Sequence, residues 1–143
     1  MSTWQGTLDS VAIGASASET TVVSGEMIDA FVAIAGSRHP LHTSDEWARA
    51  NTHYPGRVAH GVLIHALMSR PLARIVQDLG VKTALVSTAG KYIRPVCAGD
   101  TVTVTLTVSE KLPERQRFRV SAEARNQHGA LVMVGEALEQ VLG

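Results

Sequence analysis

The spacing of apolar residues changes character four times along the chain. Before residue 24 the signals are short: residues 7–13 and 19–23 read as strands, with Gly14 to Ser18 as a turn between them. From Ser24, an N-cap residue type, Met27, Phe31 and Ile34 with Ile28 and Ala35 recur at helical spacing up to Gly36, which predicts a helix over 25–35. Residues 36–60 then lose all periodicity. They hold two prolines, several glycines and histidines and many polar residues, with one helical turn expected near 45–51, and a loop of this length in a compact domain is usually a working part. From Gly61 the pattern is helical again to about Asp78, and its first half (Val62, Leu63, Ile64, Ala66, Leu67, Met68) is apolar almost all round, as in a buried helix. Pro71 is expected to kink or end that buried part.

Beyond Gly80 only strand periodicity remains. Residues 85–94 form one strand; in residues 101–108, Val102, Val104, Leu106 and Val108 alternate with four threonines. Phe118, Val120, Ala122 and Ala124 alternate with Arg117, Arg119, Ser121 and Glu123, and after a turn at residues 126–129 a last strand covers 131–141. One buried helix followed by several half-buried antiparallel strands predicts an α+β fold in which a sheet curls around that helix. No linker-like stretch or solenoid repeat interrupts the chain, so residues 1–143 are read as a single domain, a size that supports one core.

Composition narrows the partners. Lysine plus arginine and aspartate plus glutamate both number 13, so there is no basic field for nucleic acid or anionic lipid. No apolar run approaches the roughly 20 residues that cross a bilayer, and no segment reads as a signal peptide, so no membrane partner is expected. The single cysteine, Cys97, makes no internal disulfide, which fits the cytoplasm. Zero net charge with 45% hydrophobic residues favours self-association, most simply as a homodimer or a higher homo-oligomer.

The densest chemistry lies at Gly36-Ser37-Arg38-His39-Pro40-Leu41-His42 and at Val58-Ala59-His60-Gly61, where the apolar helix begins. An imidazole, with an unperturbed pKa of ~6.5, takes and gives protons near neutrality, which makes His42 the candidate acid/base, and Pro40 stiffens its loop. Gly61 lacks a side chain, so a carbonyl oxygen could approach the free N–H groups of a helix start, where negative charge is favoured. Taken singly, each histidine is better read as an ordinary loop residue; it is their joint placement that points to a site. His53 and Tyr54 could line a pocket, His65 reads as a satisfied core or interface histidine, and His60 is expected to orient the turn. His39, His42, His53 and His60 lack the spacing and carboxylates of a metal site, so no metal is expected. Ser37 with His42 lacks the surroundings of a nucleophilic pair.

The run from Ala35 to His42, continued by Ala59-His60-Gly61-Val62-Leu63, resembles the signature of MaoC-like (R)-specific enoyl-CoA hydratases, G-D-x-N-P-x-H followed by A-H-G-M-L. The segment Lys91-Tyr92-Ile93-Arg94-Pro95-Val96-Cys97-Ala98-Gly99-Asp100-Thr101 resembles that family's strand and G-D-T connection, and Asn126-Gln127-His128-Gly129 its last hairpin turn. The resemblance spans nearly the whole chain. It implies a hot-dog fold, a homodimer with sites near the subunit interface, and cofactor-free hydration or dehydration of a 2-enoyl/3-hydroxyacyl thioester carried on CoA or an acyl-carrier protein. By that resemblance His42, Ser37 and Gly61 would be catalytic, with His39, His60, Ala59, Val62 and Tyr54 binding substrate.

The sequence departs from the family at two positions: Ser37 stands where the resemblance expects aspartate and His39 where it expects asparagine. A serine hydroxyl orients water but is no base near pH 7, and loss of one acid/base group costs ~10²- to 10⁴-fold. His39 could partly replace the carboxylate; Asp45 is a more remote substitute, read first as a solvated helix-start aspartate. The sequence alone admits three functions: a hydratase, acting on an ordinary or an atypical acyl group, an acyl thioesterase, and a non-catalytic thioester-binding subunit of a hydratase complex.

Overall fold

The computed structural model describes residues 4–143, and the sheet is its frame. Five antiparallel strands run β1 (Ser16–Val22), β2 (Thr83–Tyr92), β3 (Thr101–Leu112), β4 (Arg117–Arg125) and β5 (Leu131–Val141), in the spatial order β1-β3-β4-β5-β2. The alternation in β3 and β4 sets the faces: Val102, Val104, Leu106, Val108, Phe118, Val120 and Ala124 are almost wholly buried. On the opposite face polar hydroxyls pair across strands, Ser18 with Thr105 at 2.7 Å and Thr20 with Thr103 at 2.9 Å. Each buried Val, Leu or Phe contributes about 1.5–3 kcal/mol, so the inner face dominates stability.

Helices cover that inner face. The helix over 25–35 is present as predicted, α1 (Gly25–Ala35), capped by the Ser24 side chain and ended by Gly36 at φ 72°. Short helices α2 (Pro40–Thr43) and α3 (Asp45–Asn51) follow. The buried helix is broken in two, α4 (Gly61–Ala66) and α5 (Ser69–Leu79), and the break lies upstream of Pro71, not at it. Proline cannot donate to the carbonyl four residues back and its ring crowds that carbonyl, here Leu67. The turn therefore tightens at 67–68, where Met68 N–H bonds the His65 carbonyl, and Pro71 sits in the first turn of α5. Leu63, Ile64, Met68 and Ile75 face the sheet and join its core, while Val62 is 57% exposed, so α4 is buried on one face only. The sheet wrapped on α4 and α5 is the α+β arrangement that the pattern predicted and the hot-dog fold that the family resemblance implied.

Two further features depart from expectation. Residues 7–13 are no strand: Leu8–Ser10 is a 3₁₀ turn, because Leu8 and Val11, three apart, both point into the core, and pairing with β3 begins only where the Gly14 N–H bonds the Val108 carbonyl. Residues 14–18 accordingly are not all turn, since β1 starts at Ser16. Glu139 in β5 faces inward opposite Phe118, its Oε2 finds no hydrogen-bond partner among the described residues, and burial pushes its carboxyl up to about 7. Among the described residues no helix is long and apolar enough to cross a membrane.

Candidate active site

The 36–60 segment folds back so that both halves of the histidine cluster meet. Arg57 is the clasp: its guanidinium pairs with Asp29 of α1 and reaches the His42 carbonyl at 3.5 Å, while its N–H bonds the Asp45 carboxylate at 2.9 Å. The Asp29 hydrogen bond raises the guanidinium pKa further, against a smaller opposing effect of burial. Asp45 thus anchors the loop and helix α3, and is spent on that role. Val58 N–H then bonds the Leu41 carbonyl at 3.0 Å, which lays residues 57–59 alongside α2.

This register fixes His42. Its Nδ1 stands 2.6 Å from the Val58 carbonyl, and a carbonyl only accepts, so Nδ1 carries the proton and Nε2 of the neutral ring holds the free lone pair. The ring stacks on His60 with centroids 3.8 Å apart and planes 22° from parallel. His60 is the N-cap residue of α4, immediately before Gly61, so the imidazole of residue 42 lies one residue from the amide that opens the helix. His60 is itself buried against Phe31; its Nε2 bonds the Ser37 carbonyl at 3.2 Å and its Nδ1 has no partner among the described residues. Burial pushes its pKa down, the charge on His42 pushes the same way, and the Ser37 carbonyl pulls it partly back.

Ser37 is therefore tied to the cluster through its backbone carbonyl. His39 is occupied differently: its Nδ1 accepts the Leu41 N–H at 3.1 Å as the cap of α2, and its ring meets Trp47 edge-on at 5.4 Å and His42 at 6.3 Å. That cap leaves Nδ1 unable to serve as a proton acceptor for water.

Next to the stack is a cleft of about 360 Å³ between the start of α4, the end of β2 and residues 93–96. Tyr54, Val58, Ala59, Gly61, Ile64 and Tyr92 contribute to its walls. Three of the predicted residues, Ala59, Gly61 and Tyr54, line it directly; Val62 does not, because α4 turns Leu63 and Ile64 toward the sheet and Val62 outward. His42, Ser37, His39 and His60 are not among the residues that line it: His42 is tied to its wall through the Val58 carbonyl and His60 through its chain neighbours Ala59 and Gly61, while Ser37 and His39 stand one contact further back, on His60 and His42. Ile64, Tyr92 and Val132 were not singled out from sequence as site residues. Among the described residues no cluster of three or more His, Cys, Asp or Glu side chains could hold a metal ion.

The model of the MaoC like domain matches residues 12–130. The chain belongs to the MaoC-like family. It is 33% identical over 119 residues to the 3-hydroxybutyryl-CoA dehydratase of Methylorubrum extorquens, covering 83% of this chain and 73% of that one. To the (R)-specific enoyl-CoA hydratase of Rhodospirillum rubrum it is 32% identical over 130 residues, 90% and 86% of the two chains. Among solved structures it superposes on unliganded R-hydratase PhaJ1 from Pseudomonas aeruginosa with a TM-score of 0.82 at 33% identity, over 94% of this chain and 84% of that one. The MaoC-like match lies over both halves of the histidine cluster and over every residue of the cleft wall except Val132.

Proposed function

We propose that this MaoC-like protein is a hydro-lyase that adds water to, or removes it from, a 2-enoyl/3-hydroxyacyl thioester carried on CoA or an acyl-carrier protein. The observation that carries the reading is His42: a ring locked by one nitrogen to the carbonyl of Val58, a residue of the cleft wall, and stacked on His60, which immediately precedes Gly61, with the other nitrogen left without a hydrogen bond among the described residues. Nε2 takes a proton from water as the water oxygen attacks C3 of the enoyl group; the electron pair moves through C2 onto the thioester oxygen, which the Gly61 N–H meets. The proton held by His42 then returns to C2, and reversal of the same steps is dehydration. Ser37, with its hydroxyl uncommitted, orients the water, His60 backs the His42 ring, and Ala59, Ile64 and Tyr54 flank the acyl group.

The test is the consumption of crotonyl-CoA by the purified chain. His42→Ala is expected to lower kcat by ~10²- to 10⁴-fold in a chain that still folds, its stability lowered by the about 1–3 kcal/mol of the lost hydrogen bond to the Val58 carbonyl. A variant that turns over at the parental rate would refute the assignment. Ser37→Asp is expected to raise kcat, by restoring a carboxylate that shares the proton with His42.

The second part of the proposal is assembly as a homodimer or higher homo-oligomer through β2. This strand is an edge ten residues long, paired only with β5, and it leaves Leu85 57% and Val86 42% exposed. An unpaired apolar edge of that length calls for a partner. Sedimentation of the pure chain as a monomer, with activity gained only on adding a different MaoC-like chain, would replace the homo-oligomer by a mixed one. The lone Cys97, which has no disulfide partner, supports placing the enzyme in the cytoplasm.

A further inference from the structure

Gly61 does not face open space on its Cβ side. A Cβ built there would stand 3.1–3.2 Å from three ring carbons of Tyr92, so the phenol ring of β2 lies directly on the first residue of α4. Its hydroxyl is not loose. Tyr92 Oη is 3.2 Å from His65 Nδ1, His65 Nε2 is 2.7 Å from Thr88 Oγ1, and Thr88 Oγ1 donates to the Glu136 carbonyl at 2.9 Å. The direction of this chain follows from proton counting. Thr88 spends its one hydrogen on a carbonyl, so it accepts from His65 Nε2–H; a neutral imidazole then presents a lone pair at Nδ1, which accepts the Tyr92 O–H. Thr88, Gly90 and Tyr92 are alternate residues on one face of β2, and His65 fits between them only because residue 90 has no side chain: a Cβ there would be 2.7 Å from Nδ1. Two glycines thus accommodate one tethered aromatic ring, on a half-exposed tyrosine that the core does not need.

We propose that Tyr92 determines acyl specificity: its ring, tethered by His65 and Thr88, is a fixed wall that admits thioesters unsubstituted at C2 and rejects those branched there. This rests on the reading above, in which the thioester carbonyl sits at the Gly61 N–H. C2 is one bond from that carbonyl carbon, so a methyl on C2 comes against the space the ring already fills. Carbon atoms settle about 3.5–4.0 Å apart. A branched substrate must therefore push the ring off Gly61 and break its tether. His65 and Thr88 act through Tyr92 and are positioning residues.

The experiment uses the full chain, hydration of crotonyl-CoA against 2-methylcrotonyl-CoA, and binding of the unreactive saturated pair, butyryl-CoA and 2-methylbutyryl-CoA. The parent protein is expected to prefer the unbranched member of each pair by ~10- to 100-fold, the scale on which a pocket reads one carbon. Tyr92→Ala should bring that preference to within about threefold, mainly through a lower KM for the branched substrate. Tyr92→Phe and Thr88→Val, which keep bulk but release the tether, should lose part of the preference and lower kcat on crotonyl-CoA more than they raise KM. No preference in the parent, or an unchanged preference in Tyr92→Ala, would overturn the proposal; if that variant does not fold, an unchanged preference in both conservative variants does so. Should the parent bind butyryl-CoA yet hydrate nothing, the hydratase reading fails while the binding ratios still decide the role of Tyr92. Failure to bind either saturated thioester refutes both.

Discussion

The start of α4 is held from two sides by different means. On the histidine side, the rings of residues 42 and 60 are positioned by backbone carbonyls, those of Val58 and Ser37, and the loop supplying them is clasped by Arg57. On the tyrosine side, Tyr92 and Thr88 of the edge strand β2 and His65 of α4 hold one another by side chains, and only the far end of the chain, the Thr88 hydroxyl, is tied to a backbone carbonyl, that of Glu136. Backbone carbonyls cannot be removed by substitution, so the histidine side fixes a tautomer and tolerates changed side chains around it. The tyrosine side can be retuned one residue at a time.

The sharpest way to break the comparison is to strike where the two sides join. Gly61→Ala inserts a methyl against the Tyr92 ring and is expected to cost ~10²-fold in kcat/KM on crotonyl-CoA, the scale of an ångström's misplacement. Combining it with Tyr92→Ala should restore part of the loss. Full additivity of the two changes, measured as a double-mutant cycle, would mean that the ring does not rest on Gly61.

The next effect separates the site from the fold by pH. Glu139, raised from an ordinary carboxylate value to about 7 by burial, binds a proton in the folded chain that the unfolded chain releases near 4.5. Stability from this group is complete below pH 4.5 and is lost as pH rises through 7, a loss of roughly 3 kcal/mol. His60 works in the opposite sense. Its pKa is lowered on folding, so its contribution is intact above the ordinary imidazole value and falls away as pH drops toward the depressed one. Denaturant titrations of Glu139→Gln should show the alkaline loss gone and the His60 slope still present; an unchanged alkaline limb would clear Glu139 of responsibility.

A smaller effect sharpens the contrast. Gly90→Ala collides with the His65 imidazole, the far end of a side chain that can yield, and is expected to cost about 1–3 kcal/mol in stability and to loosen acyl preference. The pH dependence of the histidine side should not move. A shift in the pH profile of kcat in this variant would show the two sides to be one network.

How far the sequence disclosed these sides follows from the same physics. The inner faces of β3 and β4 were legible because alternation is a one-dimensional signal, and α1 because its cap, period and terminal glycine agree. His42 and Gly61 stood out through local spacing. Residues 7–13 misled because Thr7, Val11 and Ile13 are residue types enriched in strands, while the two core-facing residues, Leu8 and Val11, are three apart, the period of a 3₁₀ turn. The helix break was placed too late because the obstruction from proline acts on the carbonyl four residues earlier. Tyr92 escaped notice although its segment was recognised: nothing local in Lys91-Tyr92-Ile93 states that the ring will lie on a glycine 31 positions back or share a proton with His65. His39 looked like a spare base because a side-chain cap on α2 is visible only once that helix forms.

The seat of His65 has a consequence for small molecules. Shortening that side chain in His65→Ala would leave an imidazole-shaped vacancy bounded by Gly90, with the hydroxyls of Thr88 and Tyr92 still facing it from either end. Free imidazole added to the buffer has the shape and the two nitrogens to dock there, so the variant becomes an enzyme whose choice of acyl group is dialled by a diffusible ligand.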